Sequence, residues 1–348
     1  MKKKPNFVRK LLNQSEINMQ TKKLRILVAL FLAVATAGSA VAQQTDYSKR
    51  NNGIFKNLDL GVSAGTTGVG IDLSTQITGM VRVRAGVDYM PHFSASMSFG
   101  LSSFAEDGSL LDTDFSRMQR YMKKLTGFEV DDRIDMEATP RFTNFKFLVD
   151  VFPWKDKSWY FTAGFYAGPR TVVHTENTIE DSPSVVGVNI YNNMYDFFMS
   201  DDALDKPVIG SGDDAIYLDP YLVMDVRKEM EEMGYVGIHI GDYKDGRPYI
   251  MYPDKNGTVK ANAFVNTIRP YLGVGFSSPM GKEGRFKLDV NAGAMFWGGS
   301  PKIVTHDGVD LADLINVRGS VRDYVDLAKT FKVFPTISIR LSYTLFSK

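Results

Sequence analysis

Eight segments of the chain alternate apolar and non-apolar residues with a period of two, which predicts β-strands with one oily and one polar face. The clearest is Phe286 to Phe296, where Phe286, Leu288, Val290, Ala292, Ala294 and Phe296 share one face and Lys287, Asp289, Asn291 and Gly293 the other. A helix would scatter those charges around its axis. Ile337, Ile339, Leu341, Tyr343 and Leu345 repeat the device against Ser338, Arg340, Ser342 and Thr344. The same alternation marks Ile268 to Phe276, Phe161 to Ala167, Asn144 to Val151, Val81 to Tyr89, Leu58 to Ala64 and Val69 to Ser74.

The connections are unequal. Thr78-Gly79, Pro153 to Lys157 and Pro279 to Gly284 are tight turns, whereas 93–141, 174–263 and 300–332 are long; Thr66-Thr67 is the one short connection on the long-loop side. Long loops at one end and short turns at the other, with an even strand count, predict an all-β fold: an eight-stranded antiparallel up-and-down transmembrane β-barrel with partly folded extracellular loops and both termini in the periplasm. Tyr89 and Phe296 are expected near the outer ends of their strands, and Trp159, Phe276 and Tyr343 near the inner ends, where aromatic residues favour the headgroup layers.

The first residues change the domain plan. Lys22, Lys23 and Arg25, then the apolar run Ile26 to Ala37, then Ala40-Val41-Ala42 follow the order of a signal peptide, with cleavage after Ala42; Met1 and Met19 are alternative starts that give the same mature chain. The expected plan is a leader over 1–42, a periplasmic segment over 43–56 and the barrel with its loops over 57–348. The sequence holds no cysteine, which excludes a lipoprotein anchor, disulfides and thiolate metal sites. The first forty-two positions hold eight basic residues and one acidic residue, so the net charge falls from +1 for the whole chain to −6 for the mature one. Nucleic acid is therefore not an expected partner.

The strands and the closing segment resemble the small outer-membrane β-barrels of Gram-negative bacteria, similar to the OmpA-type barrel domain and its Bacteroidota relatives. The resemblance lies in the hairpin Gly65-Thr66-Thr67-Gly68-Val69-Gly70-Ile71-Asp72-Leu73 and in Leu341-Ser342-Tyr343-Thr344-Leu345-Phe346. It implies outer-membrane lipid as surroundings and Phe346 as the terminal aromatic recognised by the barrel-assembly machinery, although this chain adds Ser347 and Lys348. OmpA-type proteins often carry a peptidoglycan-binding domain after the barrel; this sequence ends at the eighth strand, so wall tethering is not implied.

Candidate chemistry is sparse, and no cofactor or metal is expected. Gly61-Val62-Ser63-Ala64-Gly65 matches the spacing of a hydrolase nucleophile elbow, and Gly65, Gly68 and Gly70 that of a phosphate loop, but both need a helix where a strand follows. His92, His174, His239 and His306 lack metal-ligand spacing. With Ser94 and Ser96 near His92, a lipid A-modifying acyl hydrolase is the enzymatic alternative; a small non-selective porin is the other. The 174–263 connection holds seventeen acidic and seven basic residues without a calcium-loop pattern. In it Asp219 to Met233 predicts a helix, as does Asp114 to Leu125 in the preceding connection. Asp245-Gly246 and Asn256-Gly257 predict hairpin turns between Val236-Ile240, Tyr249-Tyr252 and Thr258-Phe264.

The polar strand face carries Asp59, Asp72, Asp88, Asp150 and Asp289 against Arg82, Arg84, Lys146, Arg269, Lys287 and Arg340. Five acids nearly balancing six bases predict a charge-paired, closed lumen, since eight strands leave room only for side chains. The expected function is structural or surface-binding and non-enzymatic, with an unidentified extracellular ligand met by the loops.

Overall fold

The computed structural model describes residues 57–91, 93–100, 114–154, 158–177, 182–207, 209–281, 284–319 and 321–347. The leader, the 43–56 segment, His92 and Lys348 lie outside these residues.

Numbered along the chain, β1 (Asn57–Gly65), β2 (Gly68–Gln76), β3 (Val81–Tyr89), β6 (Thr143–Val151), β7 (Trp159–Ala167), β12 (Ile268–Met280), β13 (Phe286–Phe296) and β15 (Val333–Ser347) close a barrel in the order β1-β15-β13-β12-β7-β6-β3-β2. Every neighbouring pair is antiparallel. All eight segments seen as alternating are these strands; β15 and β12 run further than the alternation alone showed. At the first hairpin Gly65 pairs with Gly68, whose φ of 99° lies in the left-handed region open to glycine, so Thr66 and Thr67 can close a two-residue turn.

The barrel is apolar outside and charged inside. Val62, Ile71, Phe161 and Leu272 are 60%, 55%, 52% and 56% exposed, while Asp59, Asp150 and Arg269 are fully buried. Aromatic pairs gather near the turn end: Trp159 meets Phe276 edge-on at 5.3 Å, Phe286 meets Tyr343 at 4.9 Å, and Trp154 lies 5.8 Å from Phe161.

At the other end the long connections are built structure. β4 (Ala95–Gly100), β5 (Arg133–Pro140), β8 (Thr171–Asn177), β11 (Lys260–Phe264) and β14 (Lys302–Thr305) form a sheet in the order β14-β11-β8-β5-β4. Each lies next in the chain to a barrel strand, and the order reproduces β13-β12-β7-β6-β3. The sheet is thus a crest continuing five of the eight barrel strands past the rim. Backbone bonds from Arg141 to Val172, Val265 to Arg170 and Asn266 to Trp297 stitch the break between them.

A hairpin of β9 (Ile238–Asp242) and β10 (Pro248–Met251) lies over the crest with helix α4 (Val321–Thr330), sharing an apolar core that includes Ile134, Ile238, Tyr249, Leu311 and Val325. Helices α1 (Asp114–Thr126), α2 (Pro183–Met199) and α3 (Pro220–Met233) pack a separate core around Met118, Val188, Tyr191, Val223 and Met230. α3 begins where Asp219 accepts hydrogen bonds from the backbone of Tyr221 and Leu222, with Pro220 in the first turn.

The turn at Asp245-Gly246 closes the β9–β10 hairpin. Asn256-Gly257 corrects the sequence expectation: the residues form a local turn, with Gly257 bonded to Asp254, but β11 pairs with β8 and β14 and not with β10. The crest offers β11 two partners aligned with the barrel strand it leads into, which a lone hairpin cannot match.

Candidate functional site

The barrel interior collects all eleven charged residues singled out above, because period-two alternation turns every second side chain inward and a slip of one residue would put them into the apolar face. Asp59, Asp72, Arg82, Arg84, Asp88, Lys146, Asp150, Arg269, Lys287, Asp289 and Arg340 are all buried.

Nearest the turn end, Lys287 Nζ donates to Asp59 at 2.7 Å, and Thr344 Oγ1 donates to the same carboxylate at 2.7 Å. Above them runs a continuous chain of ion pairs. Arg82 donates to Asp150 at 2.8 Å and to Asp289 at 3.0 Å; Arg84 donates to Asp150 at 2.7 Å. Arg340 donates to Asp289 and to Asp72, both at 2.8 Å. Lys146 Nζ lies 3.4 Å from Asp72 and 2.6 Å from Asp88, which also accepts from Thr67 at 3.0 Å. The chain thereby leaves β6, crosses to β13 and β15, and returns to β6 by way of β2.

Glycines on the inward face make space for these groups. A Cβ on Gly61 would collide with the Arg340 guanidinium, one on Gly70 with the Asp88 carboxylate, and one on Gly275 with the Tyr160 ring. Arg269 departs from the pattern, for its acceptors are neutral: Asn144 Oδ1 at 2.6 Å, the Asn266 carbonyl at 2.8 Å and the Pro169 carbonyl.

Beyond the charges, at the capped end, lies an apolar layer the sequence reading missed. Phe142, Tyr166, Val265, Tyr271, Met295 and Trp297 pack into one apolar cluster, with Tyr166 edge-on to Tyr271 at 5.3 Å. Met295 and Trp297 continue the inward phase of Asp289 and Asn291, so the face changes from charged to apolar within one strand and its exit. That change was readable in Asn291-Ala292-Gly293-Ala294-Met295-Phe296-Trp297.

The other candidates do not converge. Ser63 sits on the inward face of β1 and accepts a hydrogen bond from Lys146 at 3.1 Å, with a strand following where an elbow requires a helix. The His174 ring, on β8, bonds Asn262 at 2.8 Å and Glu176 at 3.4 Å. His239 bonds Asp242 at 2.9 Å, and His306 bonds the Tyr252 carbonyl at 2.9 Å. Among the described residues no group of three or more His, Cys, Asp or Glu could hold a metal. Phe346 lies on β15 opposite Leu58, 48% exposed on the outer face.

No family model and no curated protein matches the chain. Among solved structures it is similar to CarO2 of Acinetobacter baumannii, at 15% identity over 83% of this chain and 99% of that one with a TM-score of 0.37. CarO of the same organism is similar at 14% identity over 85% and 100%, with a TM-score of 0.34. Both likenesses are too distant to bear on function.

Proposed function

We propose that the chain is a non-enzymatic outer-membrane β-barrel with a closed lumen, whose crest and helices form an extracellular platform in a structural or surface-binding role. The observation that carries this is the inverted barrel wall: large apolar side chains exposed around the outside, charges buried within. In water such an apolar band would be a severe liability, since soluble monomers rarely expose more than a few hundred Å² of contiguous apolar surface. Lipid removes the liability, and a closed antiparallel barrel leaves no unpaired edge to face it.

The lumen is closed twice over. Ion pairs span it, and the apolar layer of Tyr166, Tyr271, Met295 and Trp297 lies across its capped end. A leader over 1–42 accounts for export, a short periplasmic segment over 43–56 precedes the first strand, and Phe346 is offered to the assembly machinery from the last one.

Fractionation of cells expressing the chain tests the reading. The mature protein is expected in the outer membrane and to migrate faster on gels before heating than after, as closed barrels resist detergent. Recovery in the soluble periplasmic fraction would contradict it.

A further inference from the structure

Above the apolar layer the crest, the β9–β10 hairpin and α4 line a partly open cavity of about 240 Å³. Its wall is the inward face of the crest: Met97 from β4, Ile134 and Met136 from β5, and Ile303 from β14, taken at every second residue. Met251 of β10 and Tyr324 of α4 cover it, and Tyr324 rests edge-on against Phe99 at 5.2 Å. The same parity that points Asp289 and Arg269 into the lumen points Ile303 and Ala263 into the cavity. On these two strands the wall is thus charged below the rim and apolar above it.

The few polar groups at the cavity are already engaged inside the protein. Thr175 Oγ1 donates to the Ala261 carbonyl at 2.7 Å, and the Thr305 hydroxyl bonds Tyr249 at 2.9 Å and the Val309 carbonyl at 3.1 Å. Lys260, the one cation on the wall among the described residues, lies 3.3 Å from Glu176 and 3.0 Å from Asp254. An anionic headgroup would have to break those pairs, and among the described residues a cation would find no free carboxylate on the wall. Recognition is left to shape and apolar surface. A cavity of roughly 150 Å³ lined by leucine, isoleucine and phenylalanine stays dry and takes benzene, so a mostly apolar one of about 240 Å³ has room for a longer hydrocarbon. Three methionines, Met97, Met136 and Met251, can adapt to its outline.

We infer that this cavity is a binding site for an uncharged, hydrocarbon-rich small molecule such as a medium-chain alcohol. Its placement on the cell surface rests on the outer-membrane reading, whereas the binding itself rests on the cavity.

The test uses the full mature chain in lipid nanodiscs with ¹³C-methyl methionine, titrated with 1-decanol and, separately, with decanoate. Methyl signals of Met97, Met136 and Met251 are expected to shift saturably with decanol while those of Met80 and Met280, exposed near the short turns at the opposite end of the barrel, do not. Decanoate is expected to bind at least about tenfold more weakly. Ala261→Phe, which fills the cavity, should abolish the shifts; Ala138→Leu serves the same purpose should the first variant not fold. Three results overturn the inference: no saturable shift in a chain with heat-modifiable mobility, decanoate binding as tightly as decanol, or shifts that follow protein concentration alone, which would seat a second copy there. A chain that never enters the nanodisc would instead contradict the membrane reading, and the titration in buffer would still decide on the cavity.

Discussion

Arg82 Nη1 donates to Asp289 Oδ1 at 3.0 Å although β3 and β13 stand four places apart on a ring of eight strands, so a single ion pair spans the barrel's full width. Both groups are almost wholly withdrawn from solvent. Taking a charge out of water costs several kcal/mol, repaid only while the partner is present. Asp289→Ala leaves Arg82 with Asp150 and Arg340 with Asp72 but removes the carboxylate that joins the two halves. A loss of about 3–5 kcal/mol is expected in urea unfolding from vesicles. An unchanged midpoint would mean that the pair contributes nothing.

On the closed-lumen proposal, conduction needs both closures removed. Wild-type protein is expected to be silent in planar bilayers, and Arg82→Ala is expected to stay silent because Tyr271 and Trp297 still lie across the capped end. Adding Tyr271→Ala and Trp297→Ala to Arg82→Ala should give openings of reproducible size. Steady openings from the wild type would refute the closed lumen.

The lipid-facing phase is tested at Val290, which sits on β13 between Phe276 and Ile339 with its side chain outward. Val290→Arg should cost about 2–4 kcal/mol if that position meets the bilayer midplane. Its neighbour Asn291 is buried and donates to Thr162 at 3.0 Å. Were Val290→Arg to fold as well as wild type, the assignment of outside and inside would be wrong.

The cap carries a pH dependence of its own. Partial burial works to raise the Asp254 carboxyl, but hydrogen bonds from Thr258, Lys260 and Asn256 outweigh it and hold the group well below the ordinary aspartate value. The unfolded cap therefore takes up this proton at higher pH than the folded one. The stabilisation is complete above about pH 5 and is lost as the pH falls from there. Hydrogen-exchange protection of the β11 amides should drop between about pH 5 and pH 2 in the wild type and less in Asp254→Asn. Equal drops would remove Asp254 as the cause.

The barrel was legible because each strand has one apolar and one polar face, a signal that Phe286 to Ala294 carries without interruption. The inward charges were legible for the same reason, since parity alone assigns them to one side. Pairing was not, because Arg82 and Asp289 are far apart in the chain and only closure brings them together. The crest escaped detection because β4, β5 and β8 are short and separated from the barrel strands by breaks that disturb the alternation. Helix α2 escaped because Val185, Val188, Ile190, Tyr191 and Met194 leave no clean polar stripe, although Ser182-Pro183 is a usable start signal.

Single-cysteine labelling tests the central claim most directly, since the natural sequence has no cysteine to compete. Asp245 lies at the β9–β10 turn of the cap and Thr78 at a short turn of the opposite end. In intact cells a membrane-impermeant maleimide is expected to label Asp245→Cys and to spare Thr78→Cys until the outer membrane is permeabilised. Labelling of both in intact cells, of neither, or of Thr78→Cys alone would contradict a barrel that crosses the outer membrane with its cap outside.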